Sequence, residues 1–248
     1  MKTRSTLLLI AFGMLLLGIA GCSKSYNYPA TPLSEYMPLN VGKYITYRLD
    51  SLIFINFGTT DTVFSYLAKD IIEDSIADNE GRPSLRVVRY LSDTTGTMPW
   101  TPIETYMITP TQNNIQVVEN NLRFIKLVEP LVNAYTWQGN SYIDTRSAFS
   151  DFAYMDGWNY YYDSLSMPYS LPGQVVSDAL IVQQENDSSG SVPDNVFSTR
   201  TYSQEVYGRG IGLIYKNFLH WEYQPPNVNV PVGSFAGYGL KLTMIDHN

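Results

Sequence analysis

One cysteine and two histidines occur in 248 residues. A lone cysteine forms no internal disulfide. His220, His247 and a single thiol fall short of the ligand supply on which zinc sites draw. Charged residues make up only 16% of the chain, and acids outnumber bases 23 to 16. The net charge of −7 leaves no basic face for nucleic acid and no electrostatic hold on anionic lipid. After residue 20 no apolar run approaches the roughly 20 residues of a membrane-spanning helix. No Gly-x-Ser-x-Gly elbow occurs. Gly208-Arg209-Gly210-Ile211-Gly212 lacks the spacing and the following helix start of a phosphate loop, so its glycines read as a bend or bulge between strands. Asp74 to Gly81 is acidic without calcium-loop spacing and reads as a solvated hairpin. No catalytic centre, metal site or cofactor is expected.

What the chain does have is an address. Lys2 and Arg4 precede an uncharged apolar stretch from Leu7 to Ala20, the pattern of a secretory signal peptide. The stretch ends in Ile19-Ala20-Gly21-Cys22, which resembles the bacterial lipobox. The resemblance implies cleavage after residue 21, a diacylglyceryl group on the Cys22 thiol, and acylation of the new amino terminus. Two or more buried chains anchor a protein stably. The plainer alternative is an ordinary signal peptide that happens to contain a cysteine. Residues 1–21 are therefore expected to be a lipoprotein signal and 22–32 a lipidated, proline-containing tether. Ser23 after Cys22, with no acidic run beyond it, points to the outer membrane and a periplasm-facing body.

Residues 33–248 read as a single all-β domain. The period is two: Ile45, Tyr47 and Leu49 alternate with Tyr44, Thr46 and Arg48. Further runs of Val, Ile, Tyr, Phe and Thr are separated by turn signals such as Asp78-Asn79-Glu80-Gly81 and Asp156-Gly157. The spacing predicts an antiparallel meander forming a strongly curved sheet, half-barrel or barrel. The stretch from Leu171 to Gln184 is ambiguous, with a strand favoured over Ala179–Gln184. Asn186–Asn195 reads as a flexible loop, and Gly239–Ile245 as the last strand.

Two segments, Tyr36-Met37-Pro38-Leu39-Asn40-Val41-Gly42-Lys43-Tyr44-Ile45-Thr46-Tyr47 and Val206-Tyr207-Gly208-Arg209-Gly210-Ile211-Gly212-Leu213-Ile214-Tyr215-Lys216, the latter followed by His220-Trp221-Glu222-Tyr223, resemble uncharacterised lipoproteins of the Bacteroidetes. The architecture more distantly resembles the half-barrel carriers LolA and LolB, which implies a cavity for an apolar ligand; a fold alone does not fix a function. Members of that phylum O-glycosylate exported proteins at Asp followed by Ser or Thr and then an aliphatic residue or Thr. Ser51, Thr62, Ser75, Thr94 and Ser164 sit in such triplets. Asp-Ser and Asp-Thr also favour turns at strand ends.

Trp158-Asn159-Tyr160-Tyr161-Tyr162-Asp163 is the most suggestive cluster, since exposed aromatics beside Asp and Asn can grip sugars. Trp158, Tyr160 and Tyr162 are the candidate glycan-binding residues, although alternation along a strand sends half of such a run inward. His220 and Glu222 share a face, but a satisfied histidine on a sheet is the simpler reading. The leading expectation is a non-catalytic binding or scaffolding lipoprotein, held to the membrane by acylated Cys22 and holding an apolar ligand in a curved sheet. The alternatives are a glycan-binding module, or a carboxylate-dependent hydrolase with two acids converging in one cleft. Lipid or glycan are the expected ligands; nothing in the sequence names a protein partner.

Overall fold

The computed structural model describes residues 31–228 and 231–248; Cys22, the signal and nearly all of the tether lie outside the described residues. Twelve strands follow in chain order: β1 (Tyr44–Ile55), β2 (Thr60–Ala77), β3 (Pro83–Ser92), β4 (Thr101–Pro110), β5 (Asn114–Glu119), β6 (Leu122–Val128), β7 (Thr136–Trp137), β8 (Tyr160–Leu171), β9 (Gln174–Ser189), β10 (Ser198–Gly208), β11 (Gly212–Gln224) and β12 (Ser234–His247). Consecutive strands pair antiparallel throughout except β6 with β7, and β12 returns to pair with β1. The predicted meander is thus an up-and-down sheet curled into a nearly closed barrel. A strongly twisted sheet of this many strands tends to curl.

Alternation decides what faces inward. In β1, Ile45, Tyr47 and Leu49 are buried while Arg48 is exposed. In β3, Leu85, Val87 and Arg89 are buried while Arg86 is exposed. The register slips at several points, among them Val206/Tyr207 against β11 and Ile115/Gln116 against β6. Such bulges add local twist and re-aim side chains.

Where β6 and β7 fail to pair, individual groups bridge the seam. The Ile125 amide donates to the Gly139 carbonyl at 2.7 Å, and the Trp137 indole donates to the Ile125 carbonyl at 2.9 Å. The Tyr162 hydroxyl, on β8, donates to the Val128 carbonyl at 2.6 Å and accepts from the Val128 amide at 2.8 Å.

Strand polarity gives the barrel two ends. The end where the chain enters β1 is covered by residues 33–43, with Leu33, Tyr36 and Met37 buried. Tyr36 donates to Asp178 at 2.7 Å, and Arg209 of the β10–β11 turn pairs with Glu35 and Asp178. The far end is covered by residues 138–159, which include the short 3-10 turn Ala153–Met155. Asn140 fixes this segment by donating to the Met155 carbonyl at 2.6 Å. Trp158 does the same by donating to the Tyr154 carbonyl at 2.8 Å.

Two expected boundaries move. β9 runs through Asn186–Ser189, so the first four residues of the predicted loop are strand: those polar residues pair with Thr199–Tyr202 of β10, and backbone pairing outweighs their turn preference. β12 begins at Ser234 and runs to His247, which lies opposite Ile45. Early in β12, Gly237 has φ +129°, and a Cβ there would fall 2.1 Å from the His220 carbonyl oxygen, so only glycine fits. The Gly208–Gly212 segment is a strand-to-strand bend, as predicted.

Candidate ligand site in the barrel interior

Seven charged side chains meet inside the barrel. Arg89 forms a two-pronged pair with Asp70, both contacts at 2.7 Å, and its remaining nitrogen reaches Glu104 at 3.3 Å. Lys126 donates to Glu205 at 2.7 Å, and Lys216 donates to Glu119 at 3.3 Å. Longer cross-contacts of 3.9 Å link Lys126 to Glu119 and Lys216 to Glu205. Tyrosines complete the set: Tyr106 donates to Asp70 at 3.0 Å, and Tyr207 donates to Glu205 at 2.6 Å. Each charge projects from an inward position on β2 to β6, β10 or β11. Burial of this kind is tolerated only when the groups are paired and hydrogen-bonded.

This charged belt separates two cavities. The near cavity, about 90 Å³, is lined by apolar side chains including Leu39, Ile45, Val87, Ile108 and Leu213, with the belt as its floor. The far cavity, about 170 Å³, is lined by Phe152, Tyr154, Trp158, Tyr160, Phe218 and Tyr238, again against the belt. Arg89, Glu119, Lys126 and Lys216 border both.

The belt sets its own protonation. Burial pushes the Glu119 carboxyl up, but Lys216 and Lys126 beside it hold it at about 2. Burial likewise opposes ionisation of Glu205, and Lys126 and Lys216 bring it below its ordinary value. Glu104 goes the other way: burial raises it, and Arg89, already engaged by Asp70, offsets this only in part. Both depressed carboxyls contribute stability that is complete above the unfolded value of about 4.3 and is lost as pH falls towards their folded values. We therefore expect the urea midpoint to hold from pH 7 to about 5 and to fall steeply from about 4 towards 2. A midpoint unchanged down to pH 3 would rule this out. Glu104 has the opposite sign, its contribution being lost as pH rises, so Glu104→Gln should be at least as stable as the parent at neutral pH.

The aromatic run folds differently from its expected role. Trp158, Tyr160 and Tyr162 are 3%, 1% and 0% exposed, so no open aromatic face for a surface glycan forms from them. Tyr162 bridges the seam, while Trp158 and Tyr160 turn into the far cavity. The cause is the covering segment, which carries Trp158 over the barrel mouth, and the β8 pleat, which sends Tyr160 and Tyr162 to the same inner face. His220 is a satisfied histidine: its Nδ1 is 2.9 Å from the Thr201 hydroxyl and its ring stacks on Tyr154 at 3.9 Å. Among the glycosylation candidates, Ser75 and Thr94 are exposed, whereas Ser51, Thr62 and Ser164 are half-buried within strands. Cys22 lies outside the described residues.

The sequence reading missed all seven belt residues. A signal existed: Asp70 lies in phase with buried Ala68 and Ile72, and Arg89 with Val87. A charge on the apolar phase of a strand marks an interior ionic group.

No protein-family model matches the chain, and no curated protein matches it. Among solved structures, a Bacteroides fragilis protein with a YmcC-like fold, described as exported, aligns over 84% of this chain and 97% of its own at 8% identity, with a TM-score of 0.32; a likeness of that size establishes neither a shared fold nor a shared role.

Proposed function

We propose that this chain is a lipid-anchored envelope protein, outer-membrane and periplasm-facing, that binds a small ligand inside its barrel and performs no chemistry. The lipobox-like Ile19–Cys22 supports the anchor. The observation that carries the binding reading is the interior itself, where an ionic belt lies between two cavities. A close-packed scaffold has little use for either feature, because apolar packing of the same volume is often as stable as buried ion pairs.

The near cavity suits an apolar group but bounds its size. A cavity of about 150 Å³ takes benzene, so 90 Å³ admits a short alkyl or methyl-bearing group and not a whole acyl chain. Hydrolysis fits less well. Two carboxylates do converge, but Glu119 is held by two lysines, and Glu205 by Lys126 and Tyr207. Neither is free to attack or to take a proton.

The test is native mass spectrometry of the full-length protein, extracted from a bacterial envelope in a maltoside detergent. The expected spectrum shows the acyl mass on Cys22 and a small additional mass lost on denaturation. Absence of the acyl mass removes the anchor; a clean lipidated mass with nothing bound favours a scaffold instead.

A further inference from the structure

Two observations single out the far cavity. The first is charge. The belt holds four carboxylates, Asp70, Glu104, Glu119 and Glu205, against three cations, Arg89, Lys126 and Lys216. One negative charge is in excess, and the contacts place it on Glu104. Asp70 takes two hydrogen bonds from Arg89, while Glu119 and Glu205 share both lysines. Among the described residues, Glu104 has one polar contact, to an arginine already engaged.

The second is unmet hydrogen bonding on the cavity wall. Among the described residues, Oε1 of Glu104 and Nε2 of Gln184 are buried with no partner, and both residues line the far cavity. Gln184 is 3% exposed and its other amide end is taken by Ser203. Buried polar atoms are seldom left unpaired, and each such exception asks for an explanation. The remaining wall is aromatic and interlocked. Trp158 lies 6.4 Å from Tyr160 and 6.5 Å from Phe218, ring centre to ring centre, and Phe218 lies 5.0 Å from Tyr238. Two residues that line the cavity, Tyr238 and Asn120, are exposed to solvent.

A carboxylate with one oxygen on Arg89 and the other unmet, set beside aromatic rings, is complementary to an organic cation, which the rings attract through their quadrupoles. Resting on the binding reading above, we propose that the far cavity is the site of a small monovalent alkylammonium ligand. Its nitrogen sits at Glu104, its carbons lie against Trp158, Tyr160, Phe218 and Tyr238, and an oxygen it carries accepts from Gln184. A cavity of about 170 Å³ sets the size at about six to eight non-hydrogen atoms, on the scale of the benzene-sized cavity. The bound cation would leave the belt neutral.

Calorimetric titration of the full-length protein in maltoside micelles tests this, with choline as the probe and 3,3-dimethyl-1-butanol as its uncharged isostere. Choline is expected to bind at least about tenfold more tightly than the alcohol. Glu104→Gln is expected to lose at least about tenfold in choline affinity while remaining folded. Phe218→Leu should weaken binding as well, and Glu73→Gln, on the outer face, should not. Equal binding of choline and the alcohol, undiminished binding by Glu104→Gln, or no binding of choline, tetramethylammonium and butylammonium alike would each overturn the assignment. The two readings fail separately. A neutral or anionic molecule in the native spectrum with no choline heat leaves the binding function standing and removes the cation site; an empty spectrum with no titration heat removes both.

Discussion

Lys126→Met is expected to destabilise the protein by about 3–5 kcal/mol, a drop of about 10 °C in Tm for a domain of this size. Lys126 is 7% exposed and its partner Glu205 only 2%. Removing the ammonium leaves a carboxylate in the barrel interior with Tyr207 and a more distant Lys216 as its remaining partners. The loss reflects that stranded charge rather than the net worth of the pair. Two consequences separate this cause from simple loss of packing. First, the double variant Lys126→Met with Glu205→Met should recover most of the stability, because a buried pair replaced by apolar side chains of similar volume is often neutral. Second, the deficit of the single variant should be smaller at pH 5 than at pH 7, because burial raises the Glu205 carboxyl once Lys126 no longer holds it down, and a protonated Glu205 is no longer a buried charge. Urea unfolding of the parent and both variants at pH 7 and pH 5 measures each. A single-variant cost under about 1 kcal/mol at pH 7 would mean that water reaches Glu205 and that the belt is not a dry structural element.

The difference between the strands and the belt explains what the sequence could and could not reveal. The strands were legible because their signal is local. Ile45-Thr46-Tyr47-Arg48-Leu49 declares its two faces within five residues, and the meander follows once every strand pairs with the next. Boundaries were less legible where composition and pairing disagree, as in Asn186–Ser189, whose polar side chains read as a loop until β10 supplies partners. The belt was not legible as a belt, because its contacts join distant positions: Lys126 and Glu205 are 79 residues apart, and Lys216 and Glu119 are 97 apart. One sequence can flag Asp70 or Arg89 as a charge on an inward phase, but which opposite charge meets it depends on how the sheet curls. The same holds for Trp158. Its burial comes from residues 138–159 folding across the barrel mouth, a tertiary event that leaves no periodic trace. The Trp158–Tyr162 run therefore looked like a surface patch, while two of its rings, those of Trp158 and Tyr160, wall a cavity.

Tyr162→Phe is the second large effect, and it tests how the barrel closes. The ring is fully buried and tilts against Trp137 at 4.7 Å, so a phenyl group fills the same space and the packing is retained. What disappears is one oxygen that both donates to the Val128 carbonyl and accepts from the Val128 amide. Those two backbone groups lie at the end of β6, which with β7 forms the two edges of the sheet. Leaving both unpaired costs about 1–3 kcal/mol each when buried; because Val128 is only half-buried, the expected total is about 2–4 kcal/mol. The loss should be local as well as global. Hydrogen exchange at the Val128 and Ile125 amides is expected to accelerate more than at the β1–β12 pair, an interior pair of the sheet with nine residues in register. Ile125 is included because its amide crosses the same seam to Gly139, and its carbonyl takes the Trp137 indole. Uniform acceleration across all strands would mean that the barrel opens only by complete unfolding, and that the gap between β6 and β7 is no weaker than any other pair. Preferential exchange at the seam would instead identify the place where the barrel can part without losing its core. It would do so next to the aromatic wall of the far cavity, since Tyr160, two residues before Tyr162 on the same inner face, lines that wall.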